Sequence, residues 1–130
     1  MRRNIASLFI FALGLSACTA LSPTPTPGVL ADSFFSGYAF LDTNGNEELD
    51  SADTPLKDAI FIVQFGGGLQ FGALTDETGN AFVTIPSAIQ YPVTLFMKPP
   101  KDSGLTLLGP SNIILQESAN EKNNFLFTSK

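Results

Sequence analysis

Ala59-Ile60-Phe61-Ile62-Val63-Gln64-Phe65, stopped by Gly66-Gly67-Gly68, is the stretch that decides the fold. Ala59, Phe61, Val63 and Phe65 fall on one face, with Ile60 and Ile62 on the other. A period of two, carried by β-branched and aromatic residues, is the pattern of a strand whose faces differ. The three glycines break the run.

The same grammar extends in both directions. Phe34 to Leu41 is an apolar run before it, and Leu69 to Leu74 follows the glycines. Asp76-Glu77-Thr78-Gly79-Asn80 turns the chain, since these residue types favour tight turns. Ala81, Val83 and Ile85 alternate next, then Tyr91, Val93, Leu95 and Met97. Pro99-Pro100 ends that strand, because proline supplies no ladder donor. Leu105 to Leu108, Ile113 to Leu115 and Phe125 to Phe127 complete the series. No helical period of useful length follows residue 30. The expectation is an all-β domain over residues 32–130, a β-sandwich of about seven strands.

The start of the chain follows a different logic. Arg2 and Arg3 precede an apolar stretch from Ile5 to Leu15, followed by Leu15-Ser16-Ala17-Cys18. A basic n-region and a short apolar h-region are the parts of a secretory signal. The stretch is shorter than the roughly 18 apolar residues a membrane-spanning helix needs. Leu, a small residue, Ala and Cys in that order resemble the lipobox of bacterial lipoproteins, whose cysteine is lipidated and becomes the first mature residue. An ordinary cleaved signal, with Cys18 a bystander, is the plainer alternative. The lipobox reading makes residues 1–17 a signal peptide and Cys18 the lipidation site. Residues 18–31 are then a linker built around Ser22-Pro23-Thr24-Pro25-Thr26-Pro27. Such a tract favours polyproline II and would hold a domain roughly 35 Å from the membrane. The protein is accordingly expected in the cell envelope, membrane-anchored by lipid and facing the extracellular or periplasmic side.

Composition narrows the chemistry. The chain has 7 Lys+Arg and 12 Asp+Glu. Loss of Arg2 and Arg3 leaves five bases against 12 acids, a net charge of −7. That argues against nucleic acid and against electrostatic attachment to anionic lipid, so the Cys18 acyl chains would provide the membrane contact. There is no His, and Cys18 is the only cysteine. The commonest general base is missing, and a lipidated thiol is unavailable for catalysis or a disulfide. About 100 residues beyond the linker make one domain with a modest core, expected to be monomeric. With 12 Phe and no Trp in the chain, Phe is expected to do most of the filling.

The most chemical stretch is Asp42-Thr43-Asn44-Gly45-Asn46-Glu47-Glu48-Leu49-Asp50-Ser51-Ala52-Asp53. Five of the 12 acids lie in it without a base. Oxygen side chains at loop positions 1, 3, 5, 9 and 12, with a carbonyl at 7, fit a calcium loop. Counted from Asp42, they are Asp42, Asn44, Asn46, Asp50 and Asp53, with the Glu48 carbonyl. Hard oxygen ligands favour Ca2+ over zinc or copper. Two positions depart from the EF-hand pattern. Position 6 is Glu47 instead of Gly, and a left-handed non-Gly residue costs roughly 1–2 kcal/mol. Position 12 is Asp53, shorter than the usual Glu. Affinity is therefore expected to be weak, on the order of 0.1–1 mM. A solvated Asx/Gly turn between two strands is the alternative reading of the same residues.

Phe40-Leu41-Asp42-Thr43-Asn44-Gly45-Asn46, then Asp50, then Pro55-Leu56-Lys57-Asp58-Ala59-Ile60-Phe61-Ile62-Val63, resembles the opening of an SdrD B-like domain. Thr75-Asp76-Glu77-Thr78-Gly79 followed by Tyr91-Pro92-Val93-Thr94-Leu95 resembles that family's second signature, and Asn124-Phe125-Leu126-Phe127 its closing strand. The likeness covers roughly residues 36 to 128. It implies an immunoglobulin-like or prealbumin-like sandwich of the kind found in calcium-binding repeats of surface adhesins, related to collagen-adhesin B-type modules. It implies Ca2+ ligation at Asp42, Asn44, Asn46, Glu48, Asp50 and Asp53. Ala81 occupies a position often aromatic in that family, so the core there must be filled from elsewhere. Related modules can carry a Lys–Asn isopeptide bond. Lys57 and Asn124 are the nearest candidates here, but no Lys lies in the first strand and the bond is not expected.

Together these features point to a non-enzymatic, surface-anchored module that binds calcium weakly and presents loops to a protein or glycan partner, serving adhesion, interaction or envelope structure. A small solute- or carbohydrate-binding lipoprotein is the alternative, with Tyr38 or Phe71 as sugar-stacking candidates. An enzyme would have to rely on carboxylates alone, which need a shaped pocket and shifted pKa values.

Overall fold

The computed structural model describes residues 31–118 and 122–129; the expected signal peptide, Cys18 and the Pro/Thr tract lie outside the described residues. Among the described residues nine strands follow one another: β1 Ser33–Leu41, β2 Thr54–Pro55, β3 Ile60–Phe65, β4 Leu69–Leu74, β5 Asn80–Ile85, β6 Val93–Lys98, β7 Thr106–Leu108, β8 Ile113–Leu115 and β9 Asn123–Thr128. They form two sheets. In the first, β1 pairs with β9 on one edge and with β5 and the short β2 on the other, and β9 pairs with β7. The second runs β4-β3-β6-β8. All pairs are antiparallel except β1 with β9, the first strand and the last.

The sandwich has nine strands instead of about seven. Eight correspond to the apolar runs of the sequence. The ninth is the two-residue bridge Thr54–Pro55 against Leu41 and Phe40, too short and polar to carry a period. Tyr91 precedes β6 without joining it, because Pro92 has no N–H to donate.

The core lies between the sheets. Phe35 and Ala39 of β1, Ala81, Val83 and Ile85 of β5, and Phe125 and Phe127 of β9 face Phe61 and Val63 of β3 and Val93, Leu95 and Met97 of β6. Among the described Phe only Phe35, Phe61, Phe125 and Phe127 are buried, so aliphatic side chains share the filling more than composition suggested. The space beside Ala81 is filled from the opposite sheet. Ala81 pairs with Gly37 across the β1–β5 ladder. A Cβ on Gly37 would stand 2.6 Å from Cε2 of Phe61. The fully buried Phe61 ring therefore rests on the backbone of β1, and it meets Phe125 at a centroid distance of 6.4 Å.

Strand directions give the sandwich two distinct ends. The chain enters at Ser33, beside the Gly66–Gly68 turn and loop 86–92, where the Ser33 hydroxyl donates to the Ser87 carbonyl at 2.9 Å. Loop 42–58, turn 75–79 and turn 99–105 gather at the opposite end. Asp42, Glu47, Glu48, Asp50, Asp53, Asp58, Asp76, Glu77 and Asp102 belong to that far end, with Lys57, Lys98 and Lys101. Among the described residues only Asp32 and Glu117 carry negative charge near the entering chain.

Candidate functional site

Loop 42–53 is held to the first sheet at its start: the Asp42 N–H donates to the Phe127 carbonyl at 2.8 Å. The Asp42 side chain, 7% exposed, then organises the first turn. Its Oδ1 accepts from the Gly45 N–H at 2.7 Å and its Oδ2 from the Glu47 N–H at 3.1 Å. Asn44 and Asn46 repeat the device: Asn44 Oδ1 accepts from the Asn46 N–H at 3.0 Å, and Asn46 Oδ1 from the Glu48 N–H at 2.9 Å. Carbonyl and carboxylate oxygens at alternate positions are thereby turned inward, as short Asx side chains do when they bond the backbone two residues on.

The second half closes on the first. Asp50 Oδ2 accepts from both amide nitrogens, Asn44 Nδ2 at 3.0 Å and Asn46 Nδ2 at 2.7 Å, and Asp50 Oδ1 from the Ala52 N–H at 2.7 Å. Asp53 Oδ2 accepts from the Asp50 N–H at 2.8 Å, and the Thr43 hydroxyl donates to the Ala52 carbonyl. The Ala52 backbone bond, then the Asn44 and Asn46 amides, hold the Asp50 carboxyl below the usual carboxylate range. Asp53 Oδ1 is buried and has no hydrogen-bond partner.

Each of the five side chains picked out by spacing thus accepts a backbone N–H of the loop; Asn44 and Asn46 also bond Asp50 directly, and Glu48 takes part through its N–H. The donor set is two amide carbonyls and three carboxylates, all hard oxygen, which suits Ca2+. Asp50 Oδ2 already accepts two bonds, and Asp53 Oδ1 is the one buried carboxylate oxygen of the loop without a partner. The amides of Asn44 and Asn46 supply positive ends to Asp50, so a cation at that carboxylate would have to displace both bonds. Among the described residues no group of three or more His, Cys, Asp or Glu side chains is placed to hold a metal ion, so the three carboxylates of the loop do not form a ready cation site as they stand.

Glu47 occupies the position where the pattern wants Gly, and its φ is 63°. The chain keeps the left-handed turn and bears its strain. Glu47→Gly should therefore raise stability by about 1 kcal/mol. Chemical melts of the variant check this; a loss of stability would show that the Glu47 side chain holds the turn.

A second acidic turn, which the sequence marked only as a turn, is equally ordered. Asp76 Oδ1 accepts from the Thr78 hydroxyl at 2.6 Å, the Thr78 N–H at 2.8 Å and the Asn80 N–H at 3.1 Å. The Thr78 hydroxyl, then the two N–H groups, lower its carboxyl below 3.8. A depressed carboxylate stabilises the fold above its unfolded pKa, and that contribution is lost as pH falls through the folded value. The melting-temperature gap between wild type and Asp76→Asn should therefore be full at pH 7, shrink below pH 3.8 and vanish in stronger acid. A gap that does not change with pH would show that ionisation of Asp76 is irrelevant.

Other expected contacts find different neighbours. Tyr38 has Lys122 Nζ 5.5 Å above its ring, and Phe71 stacks on Phe65 at 5.6 Å. Lys57 pairs with Glu77 at 3.4 Å on the surface, whereas Asn124 stands in β9 beside Tyr38 of β1. Glu47 and Leu49 border a cleft of about 210 Å³ against Leu108, Asn124 and Leu126 of the first sheet.

No protein-family model, curated protein or solved structure matches this chain.

Proposed function

We propose that this protein is a non-enzymatic lipoprotein of the cell envelope, held by lipid on Cys18, whose SdrD B-like sandwich binds Ca2+ weakly through loop 42–53 and offers its far end to a protein or glycan partner. The observation that supports the reading is the ordered, acidic Asx loop from Asp42 to Asp53, set at the end of the sandwich opposite the entering chain. A tether at one end and a charged, ordered loop at the other is the arrangement of a module that displays a surface away from the membrane. Calcium would stiffen the loop and neutralise part of its charge without doing chemistry.

With a Kd near 1 mM, 10 mM Ca2+ should stabilise the domain by about 1.4 kcal/mol. That corresponds to a rise of about 5–10 °C in melting temperature. Chelator should abolish the rise, and Asp42→Ala or Asp50→Ala should never show it. Identical melts in calcium and chelator would remove calcium from the function. Mass spectrometry of the membrane fraction should find Cys18 acylated as the first residue; an unmodified Cys18 on a soluble protein would remove the anchor.

A further inference from the structure

The outer face of the first sheet carries an exposed apolar pair toward the end where the chain enters. On the outer face of the β1–β5 ladder, Phe34 and Phe82 are 59% and 55% exposed. Their ring centroids lie 5.7 Å apart and their planes 18° from parallel. Neither ring serves the core, which Phe35 and Val83 of the same strands fill. Leu69, at the start of β4, is 56% exposed at this end as well. A cleft of about 340 Å³ opens between Ala31–Phe34 and Ala88–Tyr91. A paired aromatic surface left in water would gain from burial against an apolar phase.

The position of the chain says what that phase is. Ala31, the first described residue, lines the cleft beside Phe34. Cys18 precedes Asp32 by 14 residues, which span at most about 50 Å even when fully extended. A lipid on Cys18 keeps this end, more than any other part of the domain, within reach of the bilayer. So tethered, even a weak contact is made at high effective concentration.

We infer that this end is a membrane seat: it rests on the bilayer that holds the Cys18 lipid, with Phe34 and Phe82 inserted at the level of the headgroups. The inference rests on the lipid-anchor reading above. Charge fixes the orientation. β1 rises about 27 Å from Ser33 to Leu41, and the nine far-end acids lie in the loops and turns toward its upper end, turn 75–79 being level with Tyr38 and Ala39. The screening length is about 8 Å at physiological salt, so anionic headgroups scarcely oppose the seated domain. The inverted orientation would bring all nine acids against them. The seat therefore points loop 42–53 outward, and it replaces the stand-off of roughly 35 Å that a standing Pro/Thr tract would give.

The chain contains no Trp, so one substitution makes a unique fluorescent reporter. Full-length, lipidated Phe34→Trp protein is reconstituted into phosphatidylglycerol-containing vesicles, with and without brominated acyl chains. Phe82→Trp is a second reporter at the seat. Leu74→Trp, 60% exposed at the far end of β4, is the control. Trp at 34 and 82 should be quenched at least about twofold by the brominated lipid, with blue-shifted emission, while Trp at 74 is unaffected. Protein that floats with the vesicles but shows no quenching at 34 or 82 would overturn the seat and leave the anchor standing. Protein that fails to float would overturn the anchor and the seat with it. A blue shift that grows with protein density and ignores bromine would assign the aromatic pair to a second copy of the chain and overturn the seat.

Discussion

Phe61→Ala is expected to destabilise the domain by about 4 kcal/mol, lowering the melting temperature by roughly 15–30 °C. Phe61 is fully buried between the sheets and leans on Phe125. Its ring occupies the space that Gly37 and Ala81 leave open. Removing it leaves a cavity whose floor is β-sheet backbone, which cannot collapse to fill it. Gly37→Val should cost about 2–3 kcal/mol for the opposite reason, since its side chain would overlap the same ring. The two substitutions should therefore compensate. Val at 37 in the Phe61→Ala background would enter the vacated space, giving a coupling of about 1–3 kcal/mol in a double-mutant cycle by chemical denaturation. Additivity within about 0.5 kcal/mol would mean that the Phe61 ring is not seated on Gly37.

Gly79→Ala should cost about 3 kcal/mol, from two sources that can be separated. Gly79 has φ 75°, and a Cβ there would strike the Ala39 carbonyl oxygen and come within 3.2 Å of Pro55 Cβ and 3.3 Å of the Leu56 nitrogen. That carbonyl accepts from the Leu56 N–H at 2.9 Å, and the Ala39 N–H donates to the Gly79 carbonyl at 2.8 Å. The glycine is thus where β1, the β2 connection and the 75–79 turn touch backbone to backbone. Gly67 has φ 82° but open space around it. Gly67→Ala should show the conformational cost alone, about 1 kcal/mol. Equal losses at 67 and 79 would show that the contact with Ala39 contributes nothing.

The fold was legible because alternation is a local property. The run Ala59 to Phe65 has a glycine stop and a buried face of Ala59, Phe61 and Val63, and each feature follows from period two. What the sequence could not show is which strands meet. The parallel pairing of β1 with β9 joins residues about 85 positions apart, and no local pattern encodes it. The same gap hid the Phe61–Gly37 contact, which becomes visible only when the sheets face each other. Phe34-Phe35 shows the limit in miniature: two adjacent phenylalanines are equivalent by composition, and only the register sends Phe35 inward and Phe34 out.

The loop was legible to a different degree. Spacing picked out Asp42, Asn44, Asn46, Asp50 and Asp53, and each of them accepts a backbone N–H within the loop. The left-handed conformation at Glu47 was legible too, since the loop geometry demands it whatever residue is present. The bonds from the Asn44 and Asn46 amides to Asp50 were not, because an amide offers a donor and an acceptor and only the fold decides which end faces the carboxylate. The ordered Asp76 turn carried a signal in Asp-x-Thr-Gly-Asn, but one that any tight turn would give.

The most direct test of the proposed calcium-dependent display module is a calcium titration of residues 31–130, which contain every core residue among the described ones, followed by backbone amide NMR. The expected result is a set of shifts confined to Gly45, Glu47, Glu48, Asp50, Ala52 and Asp53 and their neighbours, saturating with a midpoint on the order of 1 mM. The strands should be unchanged, and magnesium at the same concentration should produce little. A spectrum in which those amides do not move up to about 20 mM calcium, far above that midpoint, would contradict it and leave loop 42–53 a solvated turn.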